Sequence, residues 1–318
     1  MAHSVLFRLF PSSWPQPVKS GLLLATGVSI LGFSDTLVPT VSDEIGLSQF
    51  HVIRAVLALV GVVLLARMTG LSLWPQRWGV VLLRTFCIVM AMFLFFGVLS
   101  FLPTAVAGAG LFTSPIFVLI FLALFFGILP GPRRIVAVAA GSVGVWLLLR
   151  PDMSGVGVMH FLPVIAGGFY ALNVIITNRY CADESPMALL NLYFIGIGVL
   201  GCLAGFIFTV FEVQGPQDAA FLLRGFEPMS GSAFIWLLVM ALLTVLAVWM
   251  LNVAYQTAEA SYLVVYEYSY LISAAICGWL IWSDSLSVTS LIGMLLIIGA
   301  GIIISRKTVF FEQTSEQG

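Results

Sequence analysis

Ten times along this chain a run of about 20 residues is almost wholly apolar, and that repetition constrains the fold more than any other feature. Such a run spans a bilayer as a helix, because a helix satisfies its own backbone groups where no water is present. The runs fall at about 20 to 41, 49 to 67, 78 to 100, 103 to 127, 133 to 150, 158 to 179, 187 to 211, 233 to 255, 258 to 282 and 287 to 305. Prolines, glycines and charges separate them, as in Trp74-Pro75-Gln76-Arg77, Pro130-Gly131-Pro132-Arg133-Arg134 and the segment from Ala182 to Pro186. The one long break, Glu212 to Ser232, has room for a short surface helix and no second domain. Charged residues make up 8% of the chain, against about a quarter in soluble domains. They are too few to cover a water-facing surface. The expected class is an all-α polytopic membrane protein.

The net charge of -1 leaves no basic surface for nucleic acid. Cys87, Cys181, Cys202 and Cys277 stand singly and read as apolar fillers, with no metal spacing and no cofactor motif. Ten spans with the amino terminus in the cytoplasm put Arg8, Lys19, Arg67, Arg77, Arg133, Arg134, Arg179, Arg306 and Lys307 inside and leave Arg150 and Arg224 outside. That bias predicts a multi-pass protein of the cell (inner) membrane with both termini cytoplasmic. Residues 1–19 hold prolines and no apolar core, so no cleavable signal is expected there. Trp14, Trp74, Trp78, Trp236, Trp279 and Trp282 lie near span ends, where interfacial tryptophans belong. His51 and His160 are expected at the interface too.

The halves resemble each other. Thr104 to Gly127 matches Glu259 to Trp282 in length, small-residue start and aromatic end; Arg54 to Gly61 lies over Asn191 to Gly198; and Gly141 and Gly144 correspond to Gly293, Gly299 and Gly301. The expected layout is a cytoplasmic tail (1–19), a five-helix repeat (20–150), a second five-helix repeat (151–306) and a cytoplasmic tail (307–318). Since five is odd, the second repeat enters the membrane from the opposite side, and inverted repeats place a shared cavity near the midplane.

These features carry a family resemblance. The five-plus-five layout, Arg54, Pro115, the stretch from Arg133-Arg134 through Gly141 and Gly144 to Leu149-Arg150-Pro151, and Ile292-Gly293 with Gly299-Ala300-Gly301 resemble the EamA type of the drug/metabolite transporter superfamily over about residues 20 to 306. Ser34-Asp35-Thr36 and Tyr266-Glu267-Tyr268 are similar to the branch that takes up S-adenosylmethionine and riboflavin. Pro115 has no proline counterpart around Ser269-Tyr270. The resemblance implies alternating access, with spans 1, 3, 4, 6, 8 and 9 around the cavity and spans 5 and 10 behind it.

Ionisable side chains inside spans cost about 2.5–3.5 kcal/mol each at helix centre, so each asks for a partner or a function. Glu267 falls near the middle of the ninth span, on a helical stripe with Leu263, Tyr266, Tyr270 and Ala274 that sets a carboxylate between two phenols. It reads as a cation or coupling-proton site, or as a carboxyl held for packing. Asp35 precedes Pro39, which frees backbone carbonyls, so the pair reads as a gate or a cation-binding site, or as one end of an ion pair to an arginine. Arg54 and Arg84 either meet substrate or pair with Asp35 and Glu267. Trp249, Asn252 and Tyr255, with Gln256, share one face of the eighth span, and Tyr170, Asn173 and Thr177 one face of the sixth.

No nucleophile, base or metal constellation supports an enzyme. The expected function is secondary active transport of a small organic metabolite, foremost a cationic or aromatic one such as S-adenosylmethionine, with riboflavin next. Export of amino acids or drug-like metabolites is the alternative, and a channel or non-transporting scaffold the alternative of another class. The expected partners are the small-molecule substrate and membrane lipid, as a monomer or homodimer.

Overall fold

The computed structural model describes residues 6–7, 10–98, 104–149, 160–211, 220–283 and 287–305. Among these, the chain forms helices and no strand. They are α1 (Gln16–Asp35), α2 (Pro39–Ser42), α3 (Leu47–Thr69), α4 (Trp78–Val98), α5 (Thr104–Leu111), α6 (Ser114–Phe126), α7 (Pro132–Leu149), α8 (Phe161–Tyr180), α9 (Pro186–Val210), α10 (Ala220–Leu223), α11 (Gly231–Thr257), α12 (Ala260–Leu263), α13 (Ser269–Trp282) and α14 (Val288–Ser305). A 3₁₀ turn, Val264–Tyr268, joins α12 to α13. Among the described residues nine helical stretches are long and apolar enough to cross a membrane, and a tenth apolar helix, Val288–Ile303, is shorter. The short helix α10 occupies the long break, as its length allowed. Arg8, Arg150, Arg306 and Lys307 lie outside the described residues.

Local sequence explains the ends. Proline starts α2 and α9, where its missing N–H costs no helical bond. Gly70 (φ 68°) and Gly127 (φ 65°) stop α3 and α6 in the left-handed conformation that glycine takes without a steric penalty. The side chain of Ser230 caps α11 by accepting from the N–H of Ala233 at 3.1 Å. The carboxylate of Glu184 accepts from the N–H groups of Gln76 and Arg77 (2.9 and 2.7 Å), which lead into α4.

The helices pack in pairs: α7 with α14, α1 with α11, α4 with α8, and α3 with α9. Glycine sets the closest of these. A Cβ on Gly144 would lie 2.7 Å from the carbonyl oxygen of Gly293, and one on Gly293 2.6 Å from that of Gly144, so the backbones of α7 and α14 meet directly. Leucine, isoleucine, phenylalanine and valine side chains such as Leu124, Phe125, Leu203, Phe206 and Leu295 cover the outside of the bundle, as a lipid-facing surface requires. Trp14, Trp74, Trp78, Trp236, Trp279 and Trp282 are all exposed near helix ends.

Two expectations change. The fourth span is not one helix: α5 and α6 meet at Phe112-Thr113, just before Pro115, whose ring and missing N–H interrupt the ladder. The ninth span is also interrupted, at the 3₁₀ turn, without proline. There the ring of Tyr268 fills the space at Gly141, so that a Cβ on Gly141 would stand 2.2 Å from it. The interruption thus coincides with a contact to a different helix. His51, near the start of α3, is buried between Phe50 and Phe96, ring edge to ring face.

Candidate functional site

Inside the bundle lies a cavity of about 310 Å³, within the range of small-molecule sites. Helices α1, α4, α5, α8, α11 and α13 line it together with the 3₁₀ turn, joined by Ser114 of α6, Leu149 of α7 and Tyr193 of α9. Most of its wall is apolar or aromatic, including Ile88, Met92, Phe95, Phe96 and Phe112. The polar groups gather in two places.

The larger gathering surrounds Glu267. Its carboxylate oxygen Oε1 accepts from the hydroxyl of Tyr170 (2.9 Å) and from that of Tyr255. Its other oxygen accepts no hydrogen bond from any described residue. One turn along α8 and α11 from those two tyrosines stand Asn173 and Asn252. Arg84 of α4 donates from Nε to Thr177 (3.2 Å), from one terminal nitrogen to the carbonyl of Leu189 (3.3 Å) and from the other to Oδ1 of Asn252 (2.7 Å). It thereby ties α4 to α8, α9 and α11, with a buried cation satisfied by neutral acceptors. No carboxylate reaches it among the described residues.

The second gathering lies where α1 ends. Pro39 removes an N–H and the helix stops at Asp35, the turn at Thr36–Val38 leading into α2. The freed carbonyl of Thr36 accepts from Nε1 of Trp282 (2.7 Å). The Asp35 carboxylate accepts from the hydroxyl of Tyr270 (2.9 Å) and faces Arg54 at 3.9 Å, whose guanidinium also lies 4.6 Å from the Phe50 ring centre. Asp35 lines the cavity and Arg54 stands behind it.

The structure thus brings together Glu267, Tyr170, Asn173, Asn252, Tyr255, Arg84, Asp35 and Tyr270 on one cavity. It leaves out Tyr266, Trp249, Arg54 and Pro39. Tyr266 was expected to flank Glu267 on a regular helical face. In the 3₁₀ turn neighbours differ by about 120° instead of about 100°, and Tyr266 turns to Gly21 and to the hydroxyl of Tyr262, at 2.9 Å. The two phenols at Glu267 come from α8 and α11 instead. Trp249 is buried away from the cavity, and Arg84 pairs with neither acidic residue. Tyr193, Phe112 and Thr177 line the cavity in addition; Thr177 was legible on the polar stripe of its helix, whereas the other two carry no signal in the sequence.

On the face where α1 begins, beyond Tyr255 and Thr177 of the cavity wall, polar bonds tie the helix ends together. The side-chain amide of Gln256 donates to the carbonyls of Cys181 and Glu184 (2.7 and 2.8 Å), and Asn178 donates to those of Tyr255 and Ala258 (2.9 and 2.8 Å). The Arg134 guanidinium grips both oxygens of Glu259, and Ser20 meets Thr257 at 2.9 Å. Burial alone would raise the Glu259 carboxyl, but the hydrogen bonds from Arg134 and Ser261 and the charge of Arg134 outweigh it and hold it below the usual carboxylate range. The Cys181 thiol on the same face is pushed up to about 11 by burial. No group of three or more metal-ligating side chains occurs among the described residues.

A solved protein crystal structure superposes with a TM-score of 0.74 over 93% of this chain and 99% of its own, at 15% sequence identity, which shows a shared fold. The chain is a multi-pass membrane protein, all-helical among the described residues. No family model matches it. Three curated proteins named riboflavin transporter are similar to it in sequence. One from Rhizobium johnstonii is 28% identical over 209 residues, which is 66% of this chain and 64% of that protein. One from Vibrio cholerae is 25% identical over 273 residues, covering 84% and 86% of the two chains. One from Brucella anthropi is 26% identical over 197 residues, covering 61% and 65%. The match thus spans less than two thirds of the first relative's length.

Proposed function

We propose that this protein is a secondary carrier of a small neutral heteroaromatic metabolite, with riboflavin as the first substrate to test. The observation that carries the reading is the central cavity: aromatic and apolar walls, a compact polar corner, and helix ends tied by hydrogen bonds on the face where α1 begins. The names of the three similar proteins support the same substrate. Charge supports a neutral one. Glu267 and Asp35 in the wall are balanced by Arg84 in the wall and Arg54 behind it, so neither a cation nor an anion meets an uncompensated field.

Alternating access between two inverted five-helix repeats, making ten spans with α14 as the last, fits the packing. Exchanging each span with the one five places on turns the α1–α11 pair into the α8–α4 pair, and the α3–α9 and α7–α14 pairs into themselves. The two interrupted spans, α5–α6 and α12–α13, are also equivalent under that exchange, and interrupted helices at a shared cavity are the usual site of substrate in such carriers. The arginine distribution supports placing both termini in the cytoplasm of a cell that inserts the protein in its inner membrane; the tied helix ends then close the cavity on the inner side. Since one chain encloses the cavity, a monomer suffices. A channel is less well supported, because the closed end offers no continuous polar path.

S-adenosylmethionine is the second reading, favoured by the open oxygen of Glu267 beside two phenol rings, which a sulfonium would approach. The test is counterflow into proteoliposomes loaded with unlabelled riboflavin, using labelled riboflavin outside and S-adenosylmethionine as competitor. Saturable accumulation displaced by riboflavin alone supports the first reading, and displacement by the sulfonium supports the second. No accumulation by folded protein rejects riboflavin, and no accumulation in a second experiment with unlabelled S-adenosylmethionine inside and labelled S-adenosylmethionine outside rejects the sulfonium.

A further inference from the structure

We propose that the polar corner made by Glu267, Asn252, Asn173 and Arg84 reads a neutral cyclic imide edge, –CO–NH–CO–, on the carried ring; this rests on the carrier function proposed above. Two buried polar atoms there lack a partner among the described residues, and beside them one oxygen of Glu267 accepts no hydrogen bond. Asn252 is 2% exposed, and because its Oδ1 accepts from Arg84 its amide nitrogen is fixed as a donor; that nitrogen has no partner among the described residues. Asn173 is 6% exposed, and its Oδ1 likewise has none. Glu267 is 4% exposed and keeps one oxygen free, since both phenols bind the other.

Buried polar atoms without partners are rare and costly, of order 1–3 kcal/mol each. Two such atoms, each one helical turn from a tyrosine that binds Glu267, together with the free oxygen of that carboxylate, mark a place where a ligand completes the bonding. The ligand they fit offers both a donor and acceptors. An N–H would meet the free carboxylate oxygen or Oδ1 of Asn173, while flanking carbonyls would meet the amide of Asn252 and the N–H groups that Arg84 does not spend on Thr177, Leu189 and Asn252. A carboxylate would suit Arg84 but would face Glu267; an ammonium or sulfonium would suit Glu267 but would face Arg84. A planar imide satisfies both signs without carrying a charge. The pyrimidine-dione ring of a flavin has this edge, and the apolar walls beyond the corner suit the rest of a tricyclic ring.

The test is equilibrium binding to the purified full-length protein in detergent, read by quenching of flavin fluorescence, with riboflavin and 3-methylriboflavin as probes. Methylation removes the one imide donor and adds bulk at the same atom. In the native protein 3-methylriboflavin should bind at least about ten-fold more weakly, the discrimination expected when a site built for a hydrogen bond meets an analogue without it. In Glu267→Ala or in Asn173→Leu, whichever removes the acceptor of the imide N–H, the two flavins should differ by less than about two-fold. Equal binding of both flavins by the native protein overturns the imide reader and leaves riboflavin carriage standing. A methylation penalty that persists undiminished in Glu267→Ala and in Asn173→Leu also overturns it, because the edge then sits elsewhere. Absence of riboflavin binding by folded native protein overturns the proposed substrate, and the imide reader with it. The comparison in native protein needs no variant to fold.

Discussion

The hydroxyl of Tyr255 donates to the carboxylate of Glu267, twelve residues farther on, and so pins the connection between two spans across the cavity wall. Tyr170 of α8 donates to the same oxygen at 2.9 Å. Each bond ends on a carboxylate, for which removal costs about 1.5–3 kcal/mol. Tyr255→Phe and Tyr170→Phe should each lower the thermal stability of the detergent-purified protein by an amount in that range. The double variant should lose more than the two together, since Glu267 then has no donor for a buried charge. Small, additive losses in melting experiments would show that the phenols do not hold the carboxylate.

Arg84 spreads three hydrogen bonds over α8, α9 and α11, which a planar guanidinium does and an ammonium does not. Arg84→Lys keeps the charge and loses the fork. Expected are a loss of stability of about 2–4 kcal/mol and a several-fold rise in the KM for counterflow, because Asn252 is released from the position Arg84 gives it. A variant with native melting and native KM would mean that these bonds neither brace the bundle nor orient the amide.

Much of this arrangement is legible in the sequence, and the limits have physical causes. Hydropathy locates the spans because the bilayer imposes one length on all of them, and Pro115 marks the interruption of the fourth. The break in the ninth is silent: its residues are ordinary, and the turn is accompanied by a contact between Tyr268 and Gly141, on a different helix. That break then misplaces Tyr266, because a helical period was carried through a turn that does not keep it. Glu267, Asp35 and Arg84 stand out as charges in lipid, yet the partners of Arg84 are neutral atoms from three other helices, and no spacing along the chain announces them. Asn252 and Tyr255 are found by their face, whereas Trp249, three residues before Asn252, lies far enough around the helix to be buried in packing.

Gly141 tests whether the interruption of the ninth span depends on that contact. A Cβ there would stand 2.2 Å from the Tyr268 ring, and the ring is fully buried with its hydroxyl 3.1 Å from that of Ser142, so it has little freedom to retreat. Gly141→Ala should destabilise by about 1–3 kcal/mol, the range for overpacking. Gly168→Ala is the control, since nothing lies within 4 Å of the added Cβ and alanine favours the helix; it should be neutral or stabilising by up to about 1 kcal/mol. Equal effects of the two substitutions in thermal melts would show that helix α7 yields freely to the ring.

The Arg134–Glu259 contact should act as a latch on the end of the cavity that the Gln256 and Asn178 bonds also close. It is partly exposed, so its contribution is that of a well-aligned surface pair, about 1 kcal/mol or roughly five-fold in population. Because the Glu259 carboxyl is held below its ordinary value of 4.5 in the closed form, closure keeps its full contribution above about pH 4.5 and loses it as pH falls through the depressed value. Spin labels at Gly131→Cys and Asp183→Cys, with the native cysteines replaced, would report the separation of the loops before α7 and before α9. The expected result is one short distance at neutral pH, a second and longer one growing under acid conditions, and the longer one already populated at neutral pH in Arg134→Gln. A distance distribution indifferent to both acid and Arg134→Gln would leave closure to the neutral hydrogen bonds of Gln256 and Asn178.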